Sequence, residues 1–276
     1  MIDAHFHAWQ LNRGDYGWLK PELSPIYRDV TVDEWAQHAS NDQIKGGVLV
    51  QAAPTFEETL FLLEQAQSHP MVKGVVGWID MLSDDAVEKV VQCAASPLLK
   101  GLRPMLQDIE DADWILQAKI QPVLNAMAAH NLVLDALIKP VHISRILEVT
   151  RAHRNLKVVI DHGAKPIIEL AHLPSWKNAM AQLAQETDAD RVMCKLSGLW
   201  TEASKGSAVT SLGPWCQALL EIWTPKRLIW GSDWPVLELA GPYASWREFS
   251  LKQIEHYSGE DQELILGLNA IKLYQL

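Results

Sequence analysis

The chain has 276 residues, of which 48% are hydrophobic and 21% charged, and its formal net charge is −10 at pH 7. The acidic balance and scattered basic residues exclude the basic footprint of a nucleic-acid-binding protein, and the apolar stretches are too short to span a membrane. No signal peptide precedes Met1 and the three cysteines form no CxxC pair, so a protein of the reducing cytoplasm is expected.

Strand-like and helix-like segments alternate along the whole chain. The first strand, Met1 to His7, is apolar until it ends in His-Phe-His, and a long polar and aromatic loop, Gln10 to Arg28, follows it. Loops of this length in a compact domain are often functional. Seven further short, apolar strands are predicted at 46–51, 72–79, 99–106, 132–137, 156–161, 191–196 and 227–230. Helices are predicted at 33–41, 55–67, 84–95, 112–130, 143–153, 176–187, 213–223, 243–257 and 259–274.

This alternation predicts the fold class. Short, continuously apolar strands between helices indicate a parallel sheet that is covered on both faces. Eight such units in this length fit an α/β protein of the (β/α)₈ TIM-barrel type, and no linker divides the chain, so residues 1–276 are expected to form one domain. The absence of GxGxxG after the first strand argues against a dinucleotide-binding sheet.

Polar side chains recur where the predicted strands end. Active sites of such barrels form at the carboxyl ends of the strands, which share one mouth. His5 and His7 are two residues apart and therefore lie on one face of their strand. The other strand-end residues are Arg103 from the fourth strand, Asp135 from the fifth, His162 from the sixth and Asp233 from the eighth.

These residue types suggest hydrolytic chemistry. Three imidazoles and a carboxylate suit Zn²⁺, which keeps an open position for water in catalytic sites. A bound metal lowers the pKa of that water and polarises a carbonyl, and Asp233 can act as the general base. Arg103 can hold a carboxylate, a ring oxygen or a developing oxyanion, although a salt bridge at the barrel rim is an equal alternative.

Six motifs lie in order along the chain. They are Asp3-Ala4-His5-Phe6-His7, Gly101-Leu102-Arg103, Asp161-His162-Gly163-Ala164-Lys165-Pro166, Cys194-Lys195-Leu196-Ser197-Gly198-Leu199, Gly231-Ser232-Asp233-Trp234-Pro235 and Leu266-Gly267-Leu268-Asn269-Ala270. Over the full length of the chain these motifs resemble the amidohydrolase superfamily. Within it they are most similar to the TIM-barrel branch of sugar lactonases, such as L-fuconolactonase and L-rhamnonolactonase, and dicarboxylate-lactone hydrolases.

The resemblance implies at most one divalent metal, zinc or another, held by His5, His7, His162 and Asp233. Members with two metals have a lysine and a histidine where this chain has Arg103 and Asp135. Some relatives of the branch are thought to open lactones without a metal, and the sequence allows both versions. Pro104 stands where the branch often has a histidine.

The expected activity is the opening of a sugar-derived 1,4- or 1,5-lactone, such as L-fucono- or L-rhamnono-lactone, to the sugar acid in carbohydrate catabolism. The predicted catalytic residues are Asp233, His162 and Arg103. Predicted substrate contacts are Arg103, Trp18, Lys165, Trp200 and Trp234. For the three tryptophans a packing role is an equal alternative, and for Lys165 a salt bridge at the rim is the alternative.

Two other functions remain open: a metal-dependent decarboxylase and a non-catalytic barrel that binds a sugar acid. We expect a small-molecule substrate and no nucleic-acid or membrane partner, and the sequence allows a homodimer.

Overall fold

The computed structural model describes residues 1–41 and 43–276. Eight strands form one sheet in which each strand pairs in parallel with the next along the chain. They are β1 (Ile2–Phe6), β2 (Gly46–Val50), β3 (Val72–Gly77), β4 (Leu99–Leu102), β5 (Val133–Ala136), β6 (Lys157–Ile160), β7 (Val192–Leu196) and β8 (Leu228–Trp230).

The sheet closes between β1 and the segment that follows β8. The Asp233 N–H donates to the carbonyl of His5 at 2.8 Å, and the His7 N–H donates to the carbonyl of Trp234 at 2.8 Å. The predicted single-domain (β/α)₈ barrel is confirmed. The closure also sets the backbone of Asp233 directly beside the two histidines of β1.

Helices cover the outside of the barrel. They are α1 (Val32–Asn41), α2 (Phe56–Ser68), α3 (Ala86–Ala94), α4 (Gln121–Ala129), α5 (Ile143–Ala152), α6 (Leu173–Gln185), α7 (Gly213–Arg227), α8 (Tyr243–Ile254), α9 (Gly259–Glu263) and α10 (Asn269–Tyr274), with a π-helical turn at Leu264–Leu268 between the last two. In the part of the chain that the structure describes, no helix is long and apolar enough to cross a bilayer.

Two predicted helices are interrupted in the structure. The segment 112–130 contains a 3₁₀ turn, Trp114–Leu116, and then α4. Gln117 is extended at ψ 139°, and Pro122 lies in the first turn of α4. Proline is favoured at the start of a helix because its missing N–H would have no intrahelical partner there, so a new helix begins at this point. The predicted helix 259–274 is divided by the π turn.

Apolar side chains fill the barrel interior at the amino-terminal ends of the strands. Valine side chains of β2, β3, β5 and β6 form a small buried cluster with Ile229 of β8, and α10 closes it from the amino-terminal end of the strands with Leu273 and Tyr274. Because apolar residues fill this half of the interior, the buried charges inside the barrel lie above it, towards the carboxyl ends of the strands. The fold therefore concentrates charge at one end.

Candidate active site

One carboxylate oxygen lies among three imidazoles at the barrel mouth. Oδ1 of Asp233 is 3.3 Å from Nε2 of His7, 3.6 Å from Nε2 of His5 and 3.7 Å from Nε2 of His162. All four side chains are buried or nearly so. The structure thus brings together the four residues that the sequence assigns to a metal or catalytic centre.

Asp3 holds the two ends of the barrel around this centre. Its Oδ1 accepts a hydrogen bond from the Ser232 N–H at 2.8 Å, and its Oδ2 accepts one from the Ser232 hydroxyl at 2.7 Å. Oδ2 also accepts from Nε1 of Trp35 at 2.9 Å and from the hydroxyl of Tyr243 at 3.1 Å. Asp3 therefore ties the strand that carries His5 to the residue that precedes Asp233.

Two site residues occupy left-handed backbone conformations. His162 has φ 52° and Asp233 has φ 62°, a region that costs a non-glycine residue about 1–2 kcal/mol. The His162 ring packs against Gly198, where an added Cβ would lie 2.2 Å from Nδ1. Nδ1 of His162 also makes a hydrogen bond with the Ser197 hydroxyl at 2.9 Å. Gly198 thus leaves room for the ring, and Ser197 fixes its rotation.

A layer of buried charges lies beneath the imidazoles. The ammonium of Lys195 is 2.6 Å from Oδ2 of Asp135 and 2.9 Å from Oδ1 of Asp161. It also contacts Nδ1 of His5 at 3.1 Å. The hydroxyl of Tyr274, from α10, donates to Oδ2 of Asp135 at 2.7 Å. Through Asp135, Lys195 is therefore linked to Tyr274 of α10, the helix that closes the amino-terminal end of the barrel. We call Lys195, Asp135 and Asp161 the buried floor of the site.

Arg103 is held by Gln51 and points at His5. Its guanidinium donates to the Gln51 side chain through Nε at 3.1 Å and Nη2 at 2.8 Å, and Nη2 also contacts the Gln51 carbonyl. Nη1 lies 3.4 Å from Nε2 of His5 and 3.6 Å from Oδ2 of Asp161. Arg103 is therefore not limited to a rim salt bridge, because it also lines the cavity beside the imidazoles.

Electrostatics keep Asp233 ionised and two imidazoles neutral. Burial alone would raise the pKa of Asp233, but His162 and the hydrogen bond with His7 outweigh it and hold that pKa below its ordinary value. Burial lowers the pKa of His162 to about 4 against the opposing field of Asp233. Burial, reinforced by Lys195, holds the pKa of His5 well below its ordinary value.

The buried floor is a set of compensating charges. Burial raises the pKa of Asp135 to about 6, although Lys195 opposes the shift. For Asp161, burial acts in the same direction, but Lys195 and His5 outweigh it and keep the pKa well below the ordinary range. Burial would lower the pKa of Lys195, yet the two carboxylates outweigh it and raise that pKa. Lys195 is therefore a permanent cation.

The donor set fits one metal ion. Nδ1 of His7 faces the carbonyl of Val50 at 2.8 Å, and since a carbonyl only accepts, Nδ1 carries the proton. Nε2 of His7 then faces Oδ1 of Asp233 at 3.3 Å, and a cation between the two atoms would be bound by both. Ligands about 2.0–2.1 Å from a tetrahedral Zn²⁺ are about 3.4 Å apart, which is close to the 3.3–3.7 Å between Oδ1 of Asp233 and the three Nε2 atoms.

His5 is the exception within that set. The ammonium of Lys195 lies 3.1 Å from its Nδ1 and Nη1 of Arg103 lies 3.4 Å from its Nε2, so a cationic donor faces each ring nitrogen. Nε2 binds a metal only in the tautomer whose proton is on Nδ1, where Oδ1 of Asp161 lies at 3.6 Å. Asp161 itself is already paired with the cations Lys195, at 2.9 Å, and Arg103, at 3.6 Å, so it does not need a metal ion to balance its charge.

A cavity of about 210 Å³ opens above the site, and we call it the reaction cavity. Among the predicted site residues it is lined by His7, Trp18, Arg103, His162, Lys165 and Asp233. The indole of Trp18 donates to the carbonyl of Ala52 at 2.7 Å. Lys165 reaches the rim, where its ammonium pairs with Glu202 at 2.7 Å.

Two predicted substrate contacts lie elsewhere. Trp234 is fully buried and its Nε1 donates to Glu238 at 2.8 Å. Trp200 lines a separate cavity of about 330 Å³, and its Nε1 donates to the carbonyl of Ser207 at 2.9 Å. The structure therefore assigns packing contacts to Trp234 and sets Trp200 apart from the reaction cavity.

Sequence reasoning missed three buried contributors, Gln51, Asp161 and Lys195. Lys195 had a signal, because it is the single charged residue inside the otherwise apolar β7. Asp161 directly precedes the chosen His162, and Gln51 directly follows β2. A search for every polar residue inside or next to an apolar strand would have found all three.

The family model described as amidohydrolase matches residues 2–276. The chain belongs to this amidohydrolase family. It is 38% identical, over all of its own length and 95% of the relative, to an L-fucono-1,5-lactonase of Burkholderia ambifaria. It is 29% identical, with 100% and 96% covered, to an L-fucono-1,5-lactonase of Burkholderia multivorans.

The fold agrees with that of a solved amidohydrolase. A crystal structure of an amidohydrolase from Burkholderia multivorans with bound zinc superimposes with a TM-score of 0.93 at 29% identity, covering 100% of this chain and 99% of that one. That structure shows that a barrel of this family accepts zinc. The donor spacing around Asp233 is compatible with the same kind of ion.

Proposed function

We propose that this amidohydrolase is a sugar lactonase that opens an aldonolactone such as L-fucono-1,5-lactone or L-rhamnono-1,4-lactone to the sugar acid. The observation that carries the proposal is the position of Asp233, whose carboxylate meets three imidazoles at the base of a small cavity. The relatives in Burkholderia are named as L-fucono-1,5-lactonases. A place in cytoplasmic carbohydrate catabolism follows from such an activity.

The reaction is the addition of water to a lactone carbonyl. Asp233 takes one proton from the water as its oxygen bonds to the carbonyl carbon. The negative charge on the carbonyl oxygen is stabilised by the guanidinium of Arg103 and by the Nε2–H of His5 in the tautomer that carries the proton there; Nη1 and Nε2 lie 3.4 Å apart. The bond from the carbonyl carbon to the ring oxygen then breaks, and Asp233 returns the proton to that oxygen.

The low pKa of Asp233 favours the second half of this sequence. A carboxyl group whose pKa is below its ordinary value is a weak base but a strong acid once it is protonated. Protonation of the departing ring oxygen, a poor leaving group as an alkoxide, benefits from a strong acid. His162, neutral at physiological pH, orients the substrate oxygen without competing for the proton.

His7, His162 and Asp233, with His5 in the tautomer protonated on Nδ1, are the residues that would hold a divalent ion here. Such an ion supplies charge that polarises a carbonyl or lowers the pKa of water. Among the protein's own groups, the guanidinium of Arg103, which lines the reaction cavity, acts in the same electrostatic sense.

The test is a panel of aldonolactones with acid release followed by a pH indicator. We expect hydrolysis above the spontaneous rate, with L-fucono-1,5-lactone among the best substrates. Asp233→Asn should lower kcat by about 10²–10⁴-fold, the usual contribution of general acid–base catalysis. An exposed control outside the reaction cavity, Asp190→Asn, which loses only a surface pair with Lys272, should change kcat by less than twofold. No acceleration with any lactone, or an unchanged rate in Asp233→Asn, contradicts the proposal, and carbon dioxide release from an aromatic acid would favour a decarboxylase.

A further inference from the structure

A second cavity of about 380 Å³ adjoins the reaction cavity, and we call it the side cavity. Its walls are largely aromatic and aliphatic, formed by Trp18, Trp78, Pro104, Met105, Ile109 and Trp114. These residues come from the first loop and from the ends of β3 and β4, which are neighbours in the barrel. Neither the metal donors nor the acid–base residues reach it.

The two cavities share walls. Trp18, Met105 and Asp108 line both of them. Trp18 is fixed in place because its Nε1 donates to the carbonyl of Ala52 at 2.7 Å and its ring meets Trp9 edge-on at 5.6 Å between centroids. A substituent that extends from a ring in the reaction cavity past Trp18 and Met105 would therefore meet the apolar walls of the side cavity.

Size separates the roles of the two spaces. Ligand pockets usually measure about 300–1,000 Å³, and the reaction cavity, at about 210 Å³, falls below that range. It accepts a single small lactone ring. Anything larger that is attached to the ring must leave by the mouth or enter the side cavity.

The chemistry of the walls identifies the occupant. A hydroxyl group buried without a hydrogen-bond partner loses affinity, so a second, hydroxyl-rich sugar ring is disfavoured between these side chains. The carboxylate of Asp108, at the boundary of both cavities, repels an anionic substituent. What remains is an uncharged, apolar group that packs against indole faces.

We propose that the side cavity is a binding site for a hydrophobic arm of the substrate. On this inference, which rests on the proposed lactonase function, the protein also opens lactones whose ring carries an alkyl or aryl substituent longer than a methyl group. The third cavity, beside Trp200, shares no residue with the reaction cavity and has a polar rim that includes Lys205 and Ser204. It therefore supplies a matched control.

The experiment holds the ring constant and lengthens the arm. The hydrolysis of δ-valerolactone, δ-hexalactone and δ-decalactone is measured with the purified full chain, and kcat/KM is compared after subtraction of the spontaneous rate. Each methylene buried from water is worth a few-fold in affinity, so kcat/KM should rise at least tenfold from δ-hexalactone to δ-decalactone. An equal kcat/KM for these two lactones overturns the inference.

A filling variant tests the location. Ile109→Trp places bulk in the side cavity only, and we expect it to abolish the rise with arm length while the kcat/KM for δ-valerolactone stays within twofold. Ser204→Trp, at the third cavity, should keep the full rise. Trp114→Ala is the second variant, and it should raise the KM for δ-decalactone more than that for δ-valerolactone.

The outcomes separate the two claims. Aldonolactone hydrolysis without dependence on arm length overturns the side-cavity inference and leaves the proposed function intact. An equal loss on all three lactones in Ile109→Trp, with normal thermal unfolding, also overturns it. If neither aldonolactones nor δ-lactones are opened, both claims fall.

Discussion

Lys195, on β7, places its ammonium 3.1 Å from Nδ1 of His5, on β1. The same ammonium pairs with Asp135 and Asp161, and all of these side chains are fully buried. The lysine therefore has two effects. It compensates two carboxylates in the barrel interior, and it orients the imidazole that faces the substrate.

Replacing Lys195 with methionine should destabilise the protein strongly. Removal of one partner from a buried ion pair leaves an uncompensated charge and costs about 3–5 kcal/mol. We expect a loss of that size in the free energy of unfolding, measured by urea denaturation at pH 7. kcat should also fall, because His5 loses the contact that orients it.

Two further variants check this explanation. Lys195→Met combined with Asp135→Asn removes one negative charge as well and should recover part of the lost stability. Lys177→Met breaks a surface pair with Glu221 and should leave the unfolding midpoint unchanged. A Lys195→Met protein as stable as the wild type would show that the buried carboxylates do not depend on this cation.

Stability should fall on mild acidification because of His162. Its pKa is lowered to about 4 in the folded protein, below its ordinary value of 6.5, so the unfolded chain binds an extra proton between these pH values. Unfolding is therefore favoured as the pH falls from 6.5 to 4, and the loss from this group is roughly 3 kcal/mol. His5 adds to it with the same sign.

The measurement is the free energy of unfolding as a function of pH. His162→Gln removes one titrating group and should reduce the slope between pH 4 and 6.5 by about one proton. His130→Gln, at an exposed position, should leave the slope as it is. An identical slope in the wild type and in His162→Gln would mean that His162 does not have a lowered pKa.

The strand-end histidines and Asp233 could be predicted from the sequence because each follows an apolar run, and a parallel barrel gathers such ends at one mouth. The direction in which residues of the turns point their side chains could not be predicted from the sequence. Asp233 is left-handed at φ 62°, so its side chain enters the cavity while the adjacent Trp234 points into the packing layer. Lys195 was missed for another reason, since its two carboxylate partners are 60 and 34 positions away along the chain.

Metal binding should depend on His7. After dialysis against a chelator, added Zn²⁺ should bind at no more than one ion per chain and raise the thermal midpoint, because a ligand that binds only the folded state stabilises it. His7→Ala removes the lone pair that faces Asp233 and should weaken zinc binding by at least tenfold. Calorimetry and elemental analysis give the affinity and the stoichiometry.

The control for this experiment is His130→Ala, far from the site in sequence and exposed to solvent, which should bind zinc like the wild type. Binding of two ions per chain would contradict the structure, because Asp161 is already paired with Lys195 and Arg103 and is not available to a second ion. Unchanged affinity in His7→Ala would place the ion elsewhere.

The closure of the barrel around the site should depend on Asp3. Asp3→Ala removes the acceptor of the Ser232 N–H and of the Trp35 Nε1–H in a fully buried position. An unsatisfied buried donor costs about 1–3 kcal/mol, so we expect a loss of roughly 3 kcal/mol or more in the free energy of unfolding. Lactone hydrolysis should fall as well, because Ser232 positions the backbone of Asp233.

The control is Asp29→Ala, which removes a comparable acceptor, the one for the Leu11 N–H, at an exposed site. It should lower the free energy of unfolding by less than about 1 kcal/mol. Equal unfolding free energies for the two variants would show that β1 and β8 are held together without Asp3.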